Sequence, residues 1–120
     1  MYKGHLEVTI KAAVAAGNIL TDYYNDKVQI ASKESSRDIV SEVDKFSENA
    51  IIELLFNFDP SITIITEEQG KVIGDSMEKY WIIDGLDGTV NYINHIPFFS
   101  VSIAYVENGK TQVGAINAPM

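Results

Sequence analysis

Residues 98–116 place the tightest constraint on how this chain folds. From Phe98 onward the side chains alternate: Phe99, Val101, Ile103 and Tyr105 fall on one face, and Ser100, Ser102 and Ala104 on the other. A period of two is that of a strand with one buried face. Asn108-Gly109 follows, a dipeptide that readily takes the positive φ angles of a two-residue hairpin turn. Residues 111–116 then read as the returning strand. A chain with such a hairpin builds an antiparallel sheet and needs another layer to cover the apolar face.

Two helical segments supply that layer. Over residues 5–24, Leu6, Ile10, Ala13, Val14, Gly17, Leu20 and Tyr24 recur at spacings of three and four, which predicts an amphipathic helix. Gly17 lies within the stripe, either as a point of close packing or at a cost of ~1 kcal/mol. Residues 25–27 read as a turn, 28–31 as a short strand and 32–38 as an exposed polar stretch. A second helix is predicted over 39–57, with Val43, Phe46, Ala50, Ile51, Leu54, Leu55 and Phe58 on its apolar face. Asp38 or Ser41 would cap its start, and Asp59-Pro60-Ser61 would stop it. Residues 61–66 are β-rich, 67–79 read as a surface loop, and 80–83 form a short apolar strand. Residues 90–95 suggest a helical turn before Pro97. No internal repeat is visible.

The expected class is α+β, with helices layered on a mainly antiparallel sheet. A doubly wound fold is the second choice, and the hairpin argues against it. Nothing after Ile116 closes the sheet, so residues 1–120 read as a single, incomplete domain with an open strand edge.

Composition narrows the partners. Nine basic residues face seventeen acidic ones, for a formal net charge of −8, and the pI is about 4.5. Nucleic acid and anionic membrane surfaces are therefore poor partners. A phosphate-bearing substrate would need a positive group to offset this acidity, and a metal ion is the natural one. Cysteine is absent, which excludes disulfides, thiolate nucleophiles, iron–sulfur centres and Cys-ligated zinc, and fits a reducing compartment. Glu7 and Lys11 break up the N-terminus, so it does not read as a signal peptide. No apolar run approaches the ~18–20 residues that a membrane span needs.

The segment YWIIDGLDGTVNY, residues 80–92, carries the most chemistry. Asp84 and Asp87 lie three apart beyond an apolar strand, where two carboxylates can share Mg²⁺. The Leu86 carbonyl between them offers a further oxygen. Gly88 and Thr89 stand where a helical turn begins, and their amides can face an anion. The same residues also suit a plain solvated turn, and local chemistry leaves both readings open. Glu67 and Glu68 form a second pair after a strand, but neighbouring side chains in extended chain point opposite ways, so one ion would take only one of them directly. Their alternative is a solvated loop start. Asp38 and Asp44 flank the start of the second helix, where an acidic charge is favourable in itself. Lys33 is either a phosphate contact or a solvated lysine. His5 and His95 lack motif partners, although His95 is near enough in sequence to line a pocket beside Asp84. No nucleophile elbow, P-loop or dinucleotide fingerprint is present. The remaining inventory suits metal-assisted hydrolysis of a phosphate ester without a covalent enzyme intermediate.

WIIDGLDGTVNY, residues 81–92, resembles the signature W-[VI]-[IV]-D-P-[LI]-D-G-T-x-N-[FY] of the inositol monophosphatase family. KESSRDIVSEVD, residues 33–44, resembles the family's K-x-x-x-x-D-[LIV]-V-[TS]-x-[AV]-D block, and IITEEQG, residues 64–70, its I-x-G-E-E-x block. The three occur in family order and span nearly the whole chain. The resemblance implies a layered α and β fold and a cytoplasmic, dimeric Mg²⁺-dependent phosphomonoesterase. It implies that Glu67, Asp84 and the Leu86 carbonyl hold one Mg²⁺, and that Asp84 and Asp87 hold a second. Glu68 would support the ligands and a metal-bound water. Thr89, hydrogen-bonded toward Asp44, would activate the attacking water. The amides of Gly88 and Thr89 would hold the phosphate, and Lys33 and Asp38 would shape a loop that closes over it.

Val90-Asn91-Tyr92 resembles the inositol phosphatase branch, which implies inositol 1-phosphate as substrate. A related phosphatase for a sugar bisphosphate or histidinol phosphate is the alternative within the same chemistry. Two features depart from the pattern. Gly85 replaces the family's usual proline, at a cost in preorganisation. The family's downstream W-D-x-x-[AG] motif, with its further metal-binding aspartate, is absent, because Trp81 is the one tryptophan. Family members are roughly double this length, so the site is expected to be incomplete within these residues. A non-catalytic relative that binds metal or a partner is the competing reading.

Overall fold

The computed structural model describes residues 1–26 and 33–120, with side chains at 1–25 and 40–120. Of the turn expected at 25–27, Asn25 and Asp26 belong instead to the first helix, while residue 27, the strand expected at 28–31 and the side chains of Lys33 and Asp38 fall outside the described residues.

Two long helices come first, α1 (Lys3–Asp26) and α2 (Lys33–Phe58). The strands are β1 (Thr63–Thr66), β2 (Val72–Ile73), β3 (Lys79–Asp87), β4 (Ser100–Glu107) and β5 (Lys110–Asn117), and a single-turn helix α3 (Thr89–Ile93) follows β3. They form one sheet of order β2-β1-β3-β4-β5. Only β1 and β3 run parallel; the other three pairings are antiparallel. The α+β expectation is met, and the doubly wound alternative is not.

The hairpin forms as the alternation predicts. Phe99, Val101, Ile103 and Tyr105 are buried and the intervening residues partly exposed. Asn108 and Gly109 take φ of 52° and 77°, the two positive values that the turn requires. Helix α2 ends at Phe58, where Asp59 Oδ1 accepts bonds from the Ser61 amide at 3.0 Å and the Ser61 hydroxyl at 2.7 Å. Three boundaries differ from expectation. Helix α2 starts at Lys33, so Asp38 and Ser41 lie inside it and cannot cap it; a polar first half carries no apolar stripe to mark its start. The segment 67–79 holds β2, whose two residues are too few to show a period. Strand β3 runs on through Asp87, because Asp84 and Gly85 still belong to its ladder or its bulge.

The helices cover one face of the sheet, α1 over β4 and β5 and α2 over β3. Their core is built from Leu20, Tyr24, Val43, Ile51, Leu55, Trp81, Ile83, Ile103 and Tyr105, each large aliphatic or aromatic group adding about 1.5–3 kcal/mol by burial. The buried ridge of α1 differs from the predicted one. Thr9, Ala12, Ala13, Ala16, Leu20 and Tyr24 face inward, while Leu6, Ile10 and Val14 are about half exposed. Small residues win that face because they admit close approach. A Cβ on Gly17 would stand 2.3 Å from the Asn117 amide nitrogen, and that amide donates to the Ala13 carbonyl at 2.9 Å. The close-packing reading of Gly17 is the correct one. On α2, Phe46 and Phe58 are likewise exposed, and Ser47 and Glu48 take buried positions.

The other face of the sheet is bare among the described residues. Ile82, Ala104 and Gly114 stand abreast on β3, β4 and β5, with Asp84, Ser102 and Ile116 in the next row. Ile116 is 76% exposed. Among the described residues β5 pairs with β4 alone, which leaves its other edge open there.

Candidate metal centre

Parallel pairing of β1 with β3 sets Thr66 opposite Ile83. The next residue on each strand is acidic, Glu67 on one and Asp84 on the other. The Glu67 amide donates to the Ile83 carbonyl at 2.9 Å, which locks the two strand ends together. Beyond β1 the chain turns back at once. Thr66 is buried and closes the turn, its amide donating to the Lys71 carbonyl at 2.9 Å and its hydroxyl accepting from the Lys71 amide at 3.0 Å. Gly70, at φ 60°, sits at the bend. Glu67, Glu68 and Gln69 are thus held in a tight loop beside β3.

The end of β3 is a bulge. Asp84 pairs with Ser102 and Asp87 with Ser100, so the chain advances one residue further on β3 than on β4. Bulges of this kind re-aim side chains at the rims of sheets. Asp84 Oδ1 accepts the Leu86 amide at 3.2 Å. Leu86 is buried and Asp87 exposed. Gly88 has φ 93° and ψ 40° and begins α3. A Cβ there would lie 2.9 Å from the Phe98 carbonyl oxygen, so the position requires glycine on both grounds.

Helix α2 supplies the third side. Asp44, Ser47 and Glu48 are all buried. The Ser47 hydroxyl donates to the Gly85 carbonyl at 2.7 Å. The Gln69 amide donates to Glu48 Oε2 at 3.1 Å and Oε1 at 3.5 Å. Asp44 Oδ1 is buried without a hydrogen-bond partner. The bond expected from Thr89 is therefore not made at that oxygen, although α3 does pack against α2.

These acids share one electrostatic field. Burial, followed by the charges of Glu48, Glu68 and Asp84, pushes Asp44 up to about 7. Burial also raises Glu48, with Asp84 and Glu68 adding to it and Gln69 and Lys71 opposing. Asp84 is raised by burial and then by Glu67, Asp87 and Glu68, against the opposing bond from the Leu86 amide. The neighbouring negative charges thus make Asp44, Glu48 and Asp84 harder to ionise. The donors here are all oxygens, the chemistry that a hard divalent cation takes, and Asp44 Oδ1 is left without a hydrogen-bond donor. Among the described residues, no three carboxylates or histidines stand close enough to enclose an ion.

Of the residues singled out from sequence, Glu68 and Asp84 lie near enough to raise Asp44 by their charge, Glu67, Glu68 and Asp87 act on Asp84 in the same way, and Leu86, Gly88 and Thr89 lie on the adjoining bulge and turn. The side chain of Lys33 is not described. His95 stacks on Tyr24 with ring centroids 3.9 Å apart, and its carbonyl accepts the Tyr24 hydroxyl at 2.9 Å. His5 lies in an aromatic cluster with Tyr105, Phe58 and Trp81. Sequence reasoning missed Ser47, Glu48 and Gln69. A signal for Glu48 was present: Val40, Asp44, Glu48, Ile51 and Leu55 recur at spacings of three and four, which places two acids within a helix's buried stripe.

Comparison with known proteins shows the family and the fold. The profile of the Inositol monophosphatase family matches residues 2–120. Nus factor SuhB of Pasteurella multocida is 44% identical over 117 residues, covering 96% of this chain and 43% of that protein. The fructose-1,6-bisphosphatase/inositol-1-monophosphatase of Thermotoga maritima is 34% identical over 114 residues, covering 95% and 43%. Among solved structures, extragenic suppressor protein suhB from Bartonella henselae superposes with a TM-score of 0.80 at 34% identity, covering 94% of this chain and 43% of that one. Inositol monophosphatase from Anabaena superposes at 0.78 and 36% identity, covering 96% and 40%. The chain spans less than half the length of these relatives. No helix among the described residues is long and apolar enough to cross a membrane. The chain belongs to the inositol monophosphatase family.

Proposed function

We propose that these residues carry the metal-binding part of a Mg²⁺-dependent phosphomonoesterase site whose substrate is inositol 1-phosphate. One observation carries the reading: the β1–β3 ladder ends at Thr66 and Ile83, so the acids that follow, Glu67 and Asp84, leave adjacent strand ends, while Asp44 is buried within reach of the Asp84 charge. Glu67, Asp84, Asp87 and the Leu86 carbonyl would hold Mg²⁺. When bound, Mg²⁺ offsets the charge of the phosphate oxygens and makes a coordinated water more acidic. Glu68 supports the ligands from its place in the loop after β1. Thr89 and Asp44 orient the attacking water and take up its proton, in a position where the raised pKa of Asp44 suits it to hold one. The amides of Gly88 and Thr89 donate to the phosphate, with Lys33 on the substrate side. The product pair is free inositol and inorganic phosphate.

The homodimer, the cytoplasmic location and the small-molecule phosphate monoester are part of the same reading. The Thermotoga maritima relative's name supports a sugar bisphosphate as the alternative substrate. The name Nus factor, carried by relatives 42–44% identical, supports a second reading in which the chain acts in that role, with or without catalysis.

The test is a chimera in which these residues replace the matching segment of the Thermotoga maritima protein. Phosphate release from inositol 1-phosphate should require Mg²⁺, stop with EDTA and vanish in Asp84→Asn. A folded chimera that releases phosphate from fructose 1,6-bisphosphate but not from inositol 1-phosphate would point to the alternative substrate. One that hydrolyses neither would favour the non-catalytic reading.

A further inference from the structure

Glu48 is the point at which α2 meets both acidic segments. Its carboxylate receives the Gln69 amide at 3.1 Å and 3.5 Å, and Gln69 directly follows Glu67-Glu68. Its Cγ and backbone nitrogen would stand 2.8 Å and 2.9 Å from a Cβ placed on Gly85, and Gly85 directly follows Asp84. The side chain is fully buried, so it has no freedom to make one contact without the other.

We propose that Glu48 is a positioning residue for the metal centre: by holding Gln69 and bearing on Gly85, it sets the spacing between the Glu67-Glu68 loop and the Asp84 strand end. The inference rests on the metal-site reading above and extends it to a residue outside the ligand set. The contact with Gly85 is backbone against side-chain stem, with no Cβ between them, so it is short and stiff. The contact with Gln69 is a hydrogen bond to a buried carboxylate, stronger than a bond between neutral groups. Together they constrain the residues that follow the β1–β3 ladder, which ends at the Glu67 to Ile83 backbone bond. Groups that orient the ligands of a metal typically change its affinity about 10–100-fold when removed.

The experiment compares the 120-residue chain with its Glu48→Ala, Glu48→Gln and Gln69→Ala variants and the Glu48→Ala/Gln69→Ala pair. Mn²⁺ affinity is read by titration calorimetry, and amide hydrogen exchange in the metal-free chain is read at residues 66–70 and 84–87. Glu48→Ala and Gln69→Ala should each weaken Mn²⁺ about 10–100-fold, and the pair should lose no more than the worse single, since residues acting through one another are not additive. Glu48→Gln keeps an acceptor for Gln69 and should retain the affinity. Glu48→Ala should speed exchange in both segments and leave β4 and β5 unchanged. Gln69→Ala with wild-type affinity, additive losses in the pair, or unchanged exchange in both segments would overturn the proposal. Asp84→Asn is run in parallel. If it binds Mn²⁺ as well as the wild type, the metal reading fails, and the exchange data still decide whether Glu48 joins the two segments. If Glu48→Ala unfolds by circular dichroism, Gln69→Ala and Glu48→Gln decide the outcome.

Discussion

The Ser47 hydroxyl donates a 2.7 Å hydrogen bond to the carbonyl of Gly85, joining the middle of α2 to the bulged end of β3. The bond forms because Gly85 has no side chain to hold the helix off. A Cβ there would lie 2.8 Å from Glu48 Cγ, 2.9 Å from the Glu48 nitrogen and 3.0 Å from Asp44 Oδ1. The glycine that departs from the family's usual proline is thus a packing requirement in this chain, as well as a gain in backbone freedom.

Gly85→Ala should accordingly destabilise the chain by about 1–3 kcal/mol, the usual cost of overpacking a filled site. Gly85→Pro, which brings a ring to the same place, should cost at least as much despite the family's preference. Urea denaturation followed by circular dichroism measures both. Unchanged midpoints would show that α2 can retreat from β3 without loss.

Asp84→Asn should reduce Mg²⁺ or Mn²⁺ affinity more than Glu68→Gln does. On the proposed assignment Asp84 would serve both ions, whereas Glu68 would act through its neighbours, an outer role worth about 10–100-fold. Titration calorimetry gives the comparison, and equal losses would sink the assignment of roles.

Metal-free stability should fall as pH rises. Asp44 has a folded pKa of about 7 against an ordinary value of 3.8, so the folded state keeps a proton that the unfolded chain releases. Its contribution is fully present below about pH 4 and is lost progressively as pH rises through 7. Glu48 and Asp84 are shifted in the same direction. The loss between pH 5 and pH 8 should be on the order of 2–4 kcal/mol, and Asp44→Asn should flatten the profile and stabilise the chain at pH 8. Added Mg²⁺ should raise the melting temperature more at pH 8 than at pH 5. A metal-free profile that rises over this range would contradict the buried, unpartnered state of Asp44.

The bare face and open edge of the sheet should promote self-association. Ile116 and Phe98 are about three-quarters exposed, and the unpaired edge of β5 offers backbone donors and acceptors to another strand. Light scattering should show a mass that grows with concentration, and Ile116→Lys should reduce it. A concentration-independent monomer would show that this surface is inert.

The isolated 120 residues should hydrolyse inositol 1-phosphate negligibly. They match less than half of each relative's length, and lost positioning of substrate costs orders of magnitude in rate. Phosphate release with and without EDTA tests this, and robust Mg²⁺-dependent turnover would refute it.

What the sequence determined by itself is the local part of this structure. Alternation and Asn108-Gly109 specify the hairpin because strand period and turn geometry involve only near neighbours. Asp59-Pro60-Ser61 ends α2 for the same reason, and the spacing of Asp84 and Asp87 announces acidic chemistry at a strand end. Tertiary structure decided what depends on distant residues. Leu6, Ile10 and Val14 have the stronger hydrophobicity, yet Ala12, Ala13 and Ala16 face the core, because close contact with β5 rewards small side chains. Glu67 and Asp84 become neighbours only through the parallel pairing of β1 with β3. The spacing of Val40, Asp44, Glu48 and Ile51 puts Glu48 in a buried stripe, but only the fold brings Gly85 and Gln69 against it. Periodicity reports which side chains share a face, but contact between elements settles which face is buried and which acids meet.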